Sequence, residues 1–587
     1  MAFEVLLPYT VSAHRPPEIH IAKKPHSSCT IFCMPIPPAA HVMIQHLSYC
    51  SICVSVPYGE FVARLSVEEN ACQHSKETVD ITDSILLLKK SALLFLNKVV
   101  SYKRALFVME KQMQKKNAAV LDPPQNPLGT EKVSKLILKF AIPAIISFLV
   151  NSLYNIVDQI FIGQGVGMYG NAATNVAFPI TITSTAIALL LGIGSASNFN
   201  LKLGEGHKEQ AGHFAGTGIF LLAVFGSALG ISVLLFQKPL LFALGTTKNV
   251  LPYALEYTSI VAIGLPFVTF SIGAGQLIRA DGGPGYSMIC VLSGAILNTI
   301  LDPLFIFVFR MGMAGAAWAT VIGQLVSVSL TIGYFFRFKA VKLARKYFKP
   351  EAKNIKAILA LGSAPFFNQL AMAAVQITMN NSLAYYGAMS QYGADIPLAC
   401  VGVITKVNIL FLGFTIGIAQ GCQPINGFNY GAKKFDRVKR TYIKAISAAT
   451  GISVVAFLAF QIFPREIVSV FGQGSETYFK FAERYFRIFM LLTFVNGIHP
   501  VTANFFTSIG KAKAGLMITL TRQILFLLPL ILIFPVFFGI EGIMYAGPIA
   551  DGAAAVVAIA FALREIKNLS RAHREQALSL ETTARDI

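Results

Sequence analysis

Residues 136–163 read LILKFAIPAIISFLVNSLYNIVDQIFIG, an apolar stretch with one carboxylate, Asp158, deep inside it. As a helix it is roughly 40 Å long, enough to cross about 30 Å of hydrocarbon with some tilt. Pro143, near its start, removes a backbone donor and predicts a bend. A carboxylate in hydrocarbon costs at least about 2.5–3.5 kcal/mol. Asp158 therefore stands as a candidate functional residue, and a second embedded carboxylate, Asp302, strengthens the case.

Such a stretch is not isolated. The 587 residues are 54% hydrophobic and 13% charged, with a mean hydropathy of +0.60, too apolar for a soluble domain. Twelve spans are predicted, near 136–162, 172–199, 213–236, 252–278, 285–309, 314–336, 357–387, 397–426, 441–463, 481–508, 514–538 and 541–563. The formal charge of +20 does not indicate a nucleic-acid partner, because the basic residues cluster in short loops on one side of the spans. The loop 337–356 alone carries Arg337, Lys339, Lys342, Arg345, Lys346, Lys349, Lys353 and Lys356. An even span count with this asymmetry predicts both termini in the cytoplasm of a multi-pass plasma-membrane protein.

Residues 1–108 have a different texture, rich in Pro, His and Cys, with no uncharged run long enough to span and no signal-peptide pattern. They are expected to be a poorly ordered extension or a misassigned start, with an interfacial helix near Ile85–Leu96, and the protein proper is expected to begin near Met109. Residues 109–135 then form a cytoplasmic lead-in, kept non-helical by Asp122-Pro-Pro-Gln-Asn-Pro127. Five of the eight cysteines fall in the first 72 residues without a disulfide or metal framework.

The chain repeats itself. Gly204 and Gly431 close the second and eighth spans, and Gly312-Met-Ala-Gly315-Ala-Ala-Trp318-Ala319 answers Gly539-Ile-Glu-Gly542-Ile-Met-Tyr545-Ala546, each pair 227 residues apart. The predicted fold is all-α, with twelve transmembrane helices in two six-helix lobes of parallel repeat. The N-lobe covers 136–336, the inter-lobe loop 337–356, the C-lobe 357–566 and a cytoplasmic tail 567–587.

Depth arithmetic selects the polar residues that can meet. Asp158 lies about 8 Å from the outer end of its span, Asp302 about 12 Å and Thr320 about 14 Å, one level in the membrane. Asn298, four residues before Asp302, shares its helix face, and Pro303 frees the carbonyl of Thr299. Oxygen ligands from Asp158, Asn298, Asp302 and Thr320 suit a proton or a hard cation such as Na⁺. In the second half, Lys406, Arg522 and Asp551 are embedded and are expected to pair with one another, because unpaired buried charges are costly. Gly163-Gln-Gly165-Val-Gly167 is expected to be an outer turn, Glu256 to be solvated, and His499-Pro500 to mark a kink with a satisfied imidazole.

With these residues in view the chain resembles the MATE family of multidrug and toxic-compound extruders, and within it the MepA-like bacterial branch. The likeness covers roughly 130–570 and rests on Pro143 with Val157-Asp158, Asn298-x-x-x-Asp302-Pro303, the Gly312–Ala319 turn and the repeat. It implies two six-helix bundles around a cleft, no enzymatic activity, and export of hydrophobic organic cations in exchange for H⁺ or Na⁺, with no other cofactor. It also implies that Asp158, Asn298, Asp302 and Thr320 form the coupling site, with Tyr154, Asn155 and Gln159 lining the substrate cleft or flanking the site. The seventh span offers no carboxylate, so coupling is expected in the N-lobe. A lipid-linked saccharide flippase of the same superfamily and a membrane-embedded transferase are the rival readings; the first wants more basic residues in the cleft, the second a DDxxD-like run that the spans lack. The expected partners are small organic cations and the bilayer, the expected state a monomer.

Overall fold

The computed structural model describes residues 126–393, 395–470 and 475–585, and all of the regular structure there is helical. The expectations for residues 1–108 and for a start at Met109 lie outside the described residues. In hydrocarbon every backbone N–H and C=O must be satisfied within the chain, and a helix does this locally. Eleven helices are long and apolar enough to span: α1 Val133–Gly165, α2 Met168–Gly204, α3 Lys208–Leu235, α4 Leu251–Ala280, α5 Pro284–Val308, α6 Gly312–Phe335, α7 Ala352–Ala388, α8 Asp395–Gly431, α9 Phe435–Ile462, α11 Ala512–Phe538 and α12 Ile540–Ser579. The twelfth, α10, is the pair Glu476–Phe489 and Thr493–Ser508, bent by 45°.

Three local expectations need correcting. The bend in α10 precedes His499-Pro500, because Pro500 falls in the first turn of the helix Ile498–Ser508, where its missing N–H costs nothing. For the same reason Pro127 starts a one-turn helix, Pro127–Thr130, where a non-helical lead-in was expected; Asn126 caps it by accepting from Leu128 N at 3.0 Å. The outer glycine turn is shorter than predicted: α1 runs on through Gly165, and the chain turns at Gly167 with φ +88. Pro143 lies inside α1, which is one helix from Val133 to Gly165.

Each lobe has its own core. Ile162, Ala173, Tyr257, Val261, Ile306 and Met313 knit α1, α2, α4, α5 and α6 together. Met379, Cys400, Phe460, Tyr485, Ile531 and Ile543 do the same for α7 to α12. A third cluster crosses between lobes, joining Phe140 and Phe199 to Cys422, Ile425, Tyr442 and Phe505.

This junction lies on the side of the membrane that carries the basic loops. There Asn198 donates to Ala357 O at 3.1 Å, Arg279 to Gln420 Oε1 at 3.2 Å, and Arg437 to the carbonyls of Leu128 and Glu131 at 3.2 and 2.7 Å. Backbones touch as well: a Cβ on Gly362 would lie 1.7 Å from the carbonyl oxygen of Leu190. Among the described residues no hydrogen bond joins the lobes on the opposite side. The inter-lobe loop is pinned to this junction by Asp281, which accepts from Tyr334 OH, Lys339 N and Ala340 N at 2.9, 2.8 and 2.7 Å. Burial raises the Asp281 carboxyl above the usual carboxylate range, although the three donors oppose that shift.

Candidate functional site

The N-lobe cluster begins with a helix register. Asn298 and Asp302 are one turn apart on α5, and Asn298 Nδ2 donates to Asp302 Oδ1 at 3.1 Å and to Thr320 Oγ1 of α6 at 3.4 Å. Immediately after Asp302-Pro303 the helix widens into a π-turn, Leu304–Val308, the local response to a residue that cannot donate. Asp158 of α1 meets this pair from the other side, its carboxyl within hydrogen-bonding reach of the Asp302 carboxyl. All three side chains are buried: Asp302 is 0%, Asn298 3% and Asp158 9% exposed. The four residues grouped by depth therefore come together.

What the cluster lacks is donors. Asp158 Oδ1, Asn298 Oδ1 and Asp302 Oδ2 are buried without a hydrogen-bond partner among the described residues. Two facing carboxylates cannot both stay ionised in a low-dielectric site, so the arrangement calls for a proton or a cation between them. Three orphaned oxygens, the Thr320 hydroxyl beside them and no nitrogen or sulfur ligand fit a hard monovalent cation as well as a proton. No group of three or more His, Cys, Asp or Glu comes together among the described residues.

Tyr154 lines a mostly apolar cavity of about 90 Å³ beside the cluster, whose polar side chains include Asn151, Asn298, Thr320, Gln324 and Ser327. Asn155 is exposed and donates to Asn151 O at 2.6 Å, and Gln159 is half-buried. Two residues escaped the sequence reading. Tyr257 of α4, 8% exposed, faces Asp158, Tyr154 and Asp302. Its signal was legible: six residues into α4 it lies about 9 Å deep, the level already assigned to Asp158. Gln324, with a buried and unpartnered Oε1, occupies in α6 the place that Asp551 holds 227 residues later. A larger cavity, about 510 Å³, opens on the basic side against Lys139, Pro143, Tyr286, Tyr334 and Arg337.

The C-lobe has no counterpart. Pro529 repeats Pro303, but Leu528 stands where the N-lobe has Asp302. Arg522, in the π-turn Thr521–Leu527 of α11, donates from Nε to Asp551 Oδ1 at 2.7 Å, the two side chains 14% and 3% exposed. His499 is satisfied by Ile518 O at 2.9 Å, and Glu256 is exposed. Lys406 departs from expectation. It does not join Arg522 and Asp551; it is exposed and has no ion-pair or hydrogen-bond partner among the described residues. One arginine already neutralises Asp551, and the rotation of α8 points Lys406 elsewhere.

Comparison with known proteins follows this geometry. The family model MatE matches residues 143–304 and 366–533, one stretch in each lobe. The multidrug export protein MepA of Staphylococcus aureus strain MSSA476 is 26% identical over 443 residues, covering 74% of this chain and 94% of that protein. MepA of Staphylococcus haemolyticus strain JCSC1435 is 24% identical over 445 residues, covering 75% and 96%. Among solved structures, the outward-facing conformation of a multidrug resistance MATE family transporter of the MOP superfamily superposes with a TM-score of 0.70 at 24% identity, covering 76% of this chain and 98% of that one.

Proposed function

The chain belongs to the MatE family of membrane transporters, and on that premise we propose that it exports hydrophobic organic cations across the plasma membrane by antiport with H⁺ or Na⁺. The relatives carry the name of multidrug export proteins. The observation that carries the coupling half of this reading is the set of buried oxygens without donors, Asp158 Oδ1, Asn298 Oδ1 and Asp302 Oδ2. A site short of positive charge in one conformation is a site that takes up a cation there.

The mechanism follows from where the lobes touch. With the basic side taken as cytoplasmic, the hydrogen bonds and backbone contacts between the lobes lie inward, and we read this conformation as closed inward and open outward. A cation entering from outside is shared between Asp158 and Asp302 and offsets the charge of the pair. With its need for a cation met, the pair no longer holds α1 and α5 in this arrangement, and α1 is free to shift about Pro143, where one backbone hydrogen bond is missing. Movement of α1 into the gap expels the substrate as the ion is held, and linkage requires the substrate to weaken ion binding by the same factor. An interior-negative potential contributes about 2.3 kcal/mol per charge per 100 mV to ion entry, which sets the direction of export.

Everted membrane vesicles containing the protein are expected to accumulate a cationic dye when an H⁺ or a Na⁺ gradient is imposed, and not without one. Vesicles that accumulate no dye under either gradient contradict the proposal.

A further inference from the structure

The cavity of about 510 Å³ on the basic side falls within the roughly 300–1,000 Å³ of small-molecule sites, and the coupling cluster makes no use of it. Three helix ends enclose it. The start of α1 brings Lys139, the start of α5 brings Tyr286 after a run of glycines, and the end of α6 with the residues that follow brings Tyr334, Arg337 and Lys339. Lys139 lies in the second turn of α1, which begins at Val133, and Arg337 lies just past the end of α6 at Phe335. The cavity therefore sits where these spans leave the hydrocarbon.

Its charge has one sign. Lys139, Arg337 and Lys339 line it and no carboxylate does. The Arg337 and Lys339 side chains are exposed and have no hydrogen bond or ion pair among the described residues. Lys139 has only a long contact with Glu131, 3.8 Å, of a kind that contributes little. The wall is nevertheless fixed in place. Asp281, buried beneath it, accepts from Tyr334 OH, Lys339 N and Ala340 N, which engages both of its oxygens and sets the path of the chain as it leaves α6. Beside the cations the chain turns apolar and exposed: Leu138 next to Lys139, Ile142 one turn further along α1, and Phe336 next to Arg337. Groups that attract an anion thus stand against groups that face hydrocarbon.

We infer that this cavity holds the phosphate of an anionic phospholipid, with the acyl chains lying along Leu138, Ile142 and Phe336. The planar fork of Arg337 takes two phosphate oxygens, and the two lysines add point charges. A soluble phosphate would use the same cations but leave the apolar flank uncovered, which favours the lipid. Pro143 lines the cavity as well, so the bound lipid touches α1 at the residue whose backbone lacks a donor. The inference is independent of what the cleft carries, and its test reads binding and not export.

The full-length protein is placed in phosphatidylcholine nanodiscs, and the motionally restricted fraction of a spin-labelled phosphatidylglycerol is compared with that of a spin-labelled phosphatidylcholine. Wild type is expected to prefer the anionic lipid. Arg337→Gln together with Lys339→Gln is expected to lower that preference about fivefold for each charge removed. Lys349→Gln together with Lys353→Gln makes the same charge change on exposed residues of the same basic stretch that do not line the cavity, and is expected to keep the preference. Equal loss in the two pairs assigns the preference to the charge of the surface at large and overturns the inference, as does a wild type that shows no preference. Displacement of the labelled phosphatidylglycerol by inorganic phosphate at constant ionic strength assigns the cavity to a soluble anion and overturns it too. Should the first pair not reach the membrane, Lys139→Gln carries the same comparison, with a loss of about fivefold expected.

Discussion

Replacing Asp302 by Asn is expected to reduce gradient-driven efflux to background while the protein still folds, inserts and exchanges substrate down its own gradient. Asn keeps the volume, and its amide oxygen can still accept from Asn298 Nδ2, now 3.1 Å from Asp302 Oδ1. The amide also gives the cluster a donor, so the variant is not left with a buried unpaired charge, the usual source of a large loss of stability. What disappears is the charge that a cation can switch off. An ion no longer drawn into the lobe cannot transmit the membrane potential, and about 2.3 kcal/mol per 100 mV corresponds to roughly a fiftyfold concentration ratio forgone. Asp158→Asn should behave alike, because the two carboxyl groups share one site. Asn298→Ala removes a neutral ligand and should weaken coupling without abolishing it. The measurement is dye efflux from energised cells beside substrate counterflow in proteoliposomes. Normal efflux by Asp302→Asn at normal expression places coupling elsewhere, with Asp551 the next candidate.

The second large effect is expected at the lobe junction. Gly362 of α7 lies against the Leu190 backbone of α2 so closely that a Cβ would come within 1.7 Å of the carbonyl oxygen and 2.5 Å of the carbonyl carbon. Gly194 meets Ile358 O in the same way, at 2.1 Å, and the Asn198 to Ala357 hydrogen bond closes the patch. The obstructing atoms are backbone on both sides, so a side chain at 362 cannot be accommodated by a rotamer change, and the lobes must separate there. Overpacking costs roughly 1–3 kcal/mol even in cores that can adjust, enough for a shift of about tenfold to a hundredfold in the population of this conformation. Gly362→Leu should therefore open the basic side. Cys422, 2% exposed in the inter-lobe cluster, is a built-in reporter. In protein retaining Cys422 alone, its alkylation by a polar maleimide should accelerate about tenfold or more in Gly362→Leu, and efflux should fall. Unchanged alkylation and efflux would show that this contact does not govern access.

What the sequence made legible was decided over short distances. Hydropathy and the positive loops located the spans, and the spacing of Asn298 and Asp302, read with depth along Asp158 and Thr320, brought four residues of three helices to one point. The same arithmetic reaches Tyr257, although its neighbour Glu256 is solvated and gives no sign of a buried site. Lys406 shows the limit. Depth alone put it near Arg522 and Asp551, yet which way a residue faces depends on how its helix is rotated against its neighbours. For α8 that rotation is set by glycines packing on Ala141 and Ile145 of a helix more than 250 residues earlier in the chain. The bend in α10 was misplaced for a related reason. Pro500 is an obvious breaker, but a proline in a first helical turn breaks nothing, and the interruption falls before it. Contacts between lobes, such as Arg437 on the carbonyls of Leu128 and Glu131, leave no periodic trace at all.

The central claim is that the oxygens of Asp158, Asn298 and Asp302 hold the ion exchanged for substrate. It is tested most directly by adding substrate to purified protein and measuring the cation set free, protons with a pH indicator in weakly buffered solution and sodium with a radiolabel. Wild type should release one of the two in proportion to substrate bound, Asp158→Asn and Asp302→Asn should release neither while still binding substrate, and Asp551→Asn should release as wild type does. Undiminished release from Asp302→Asn, or release lost only in Asp551→Asn, would contradict the account.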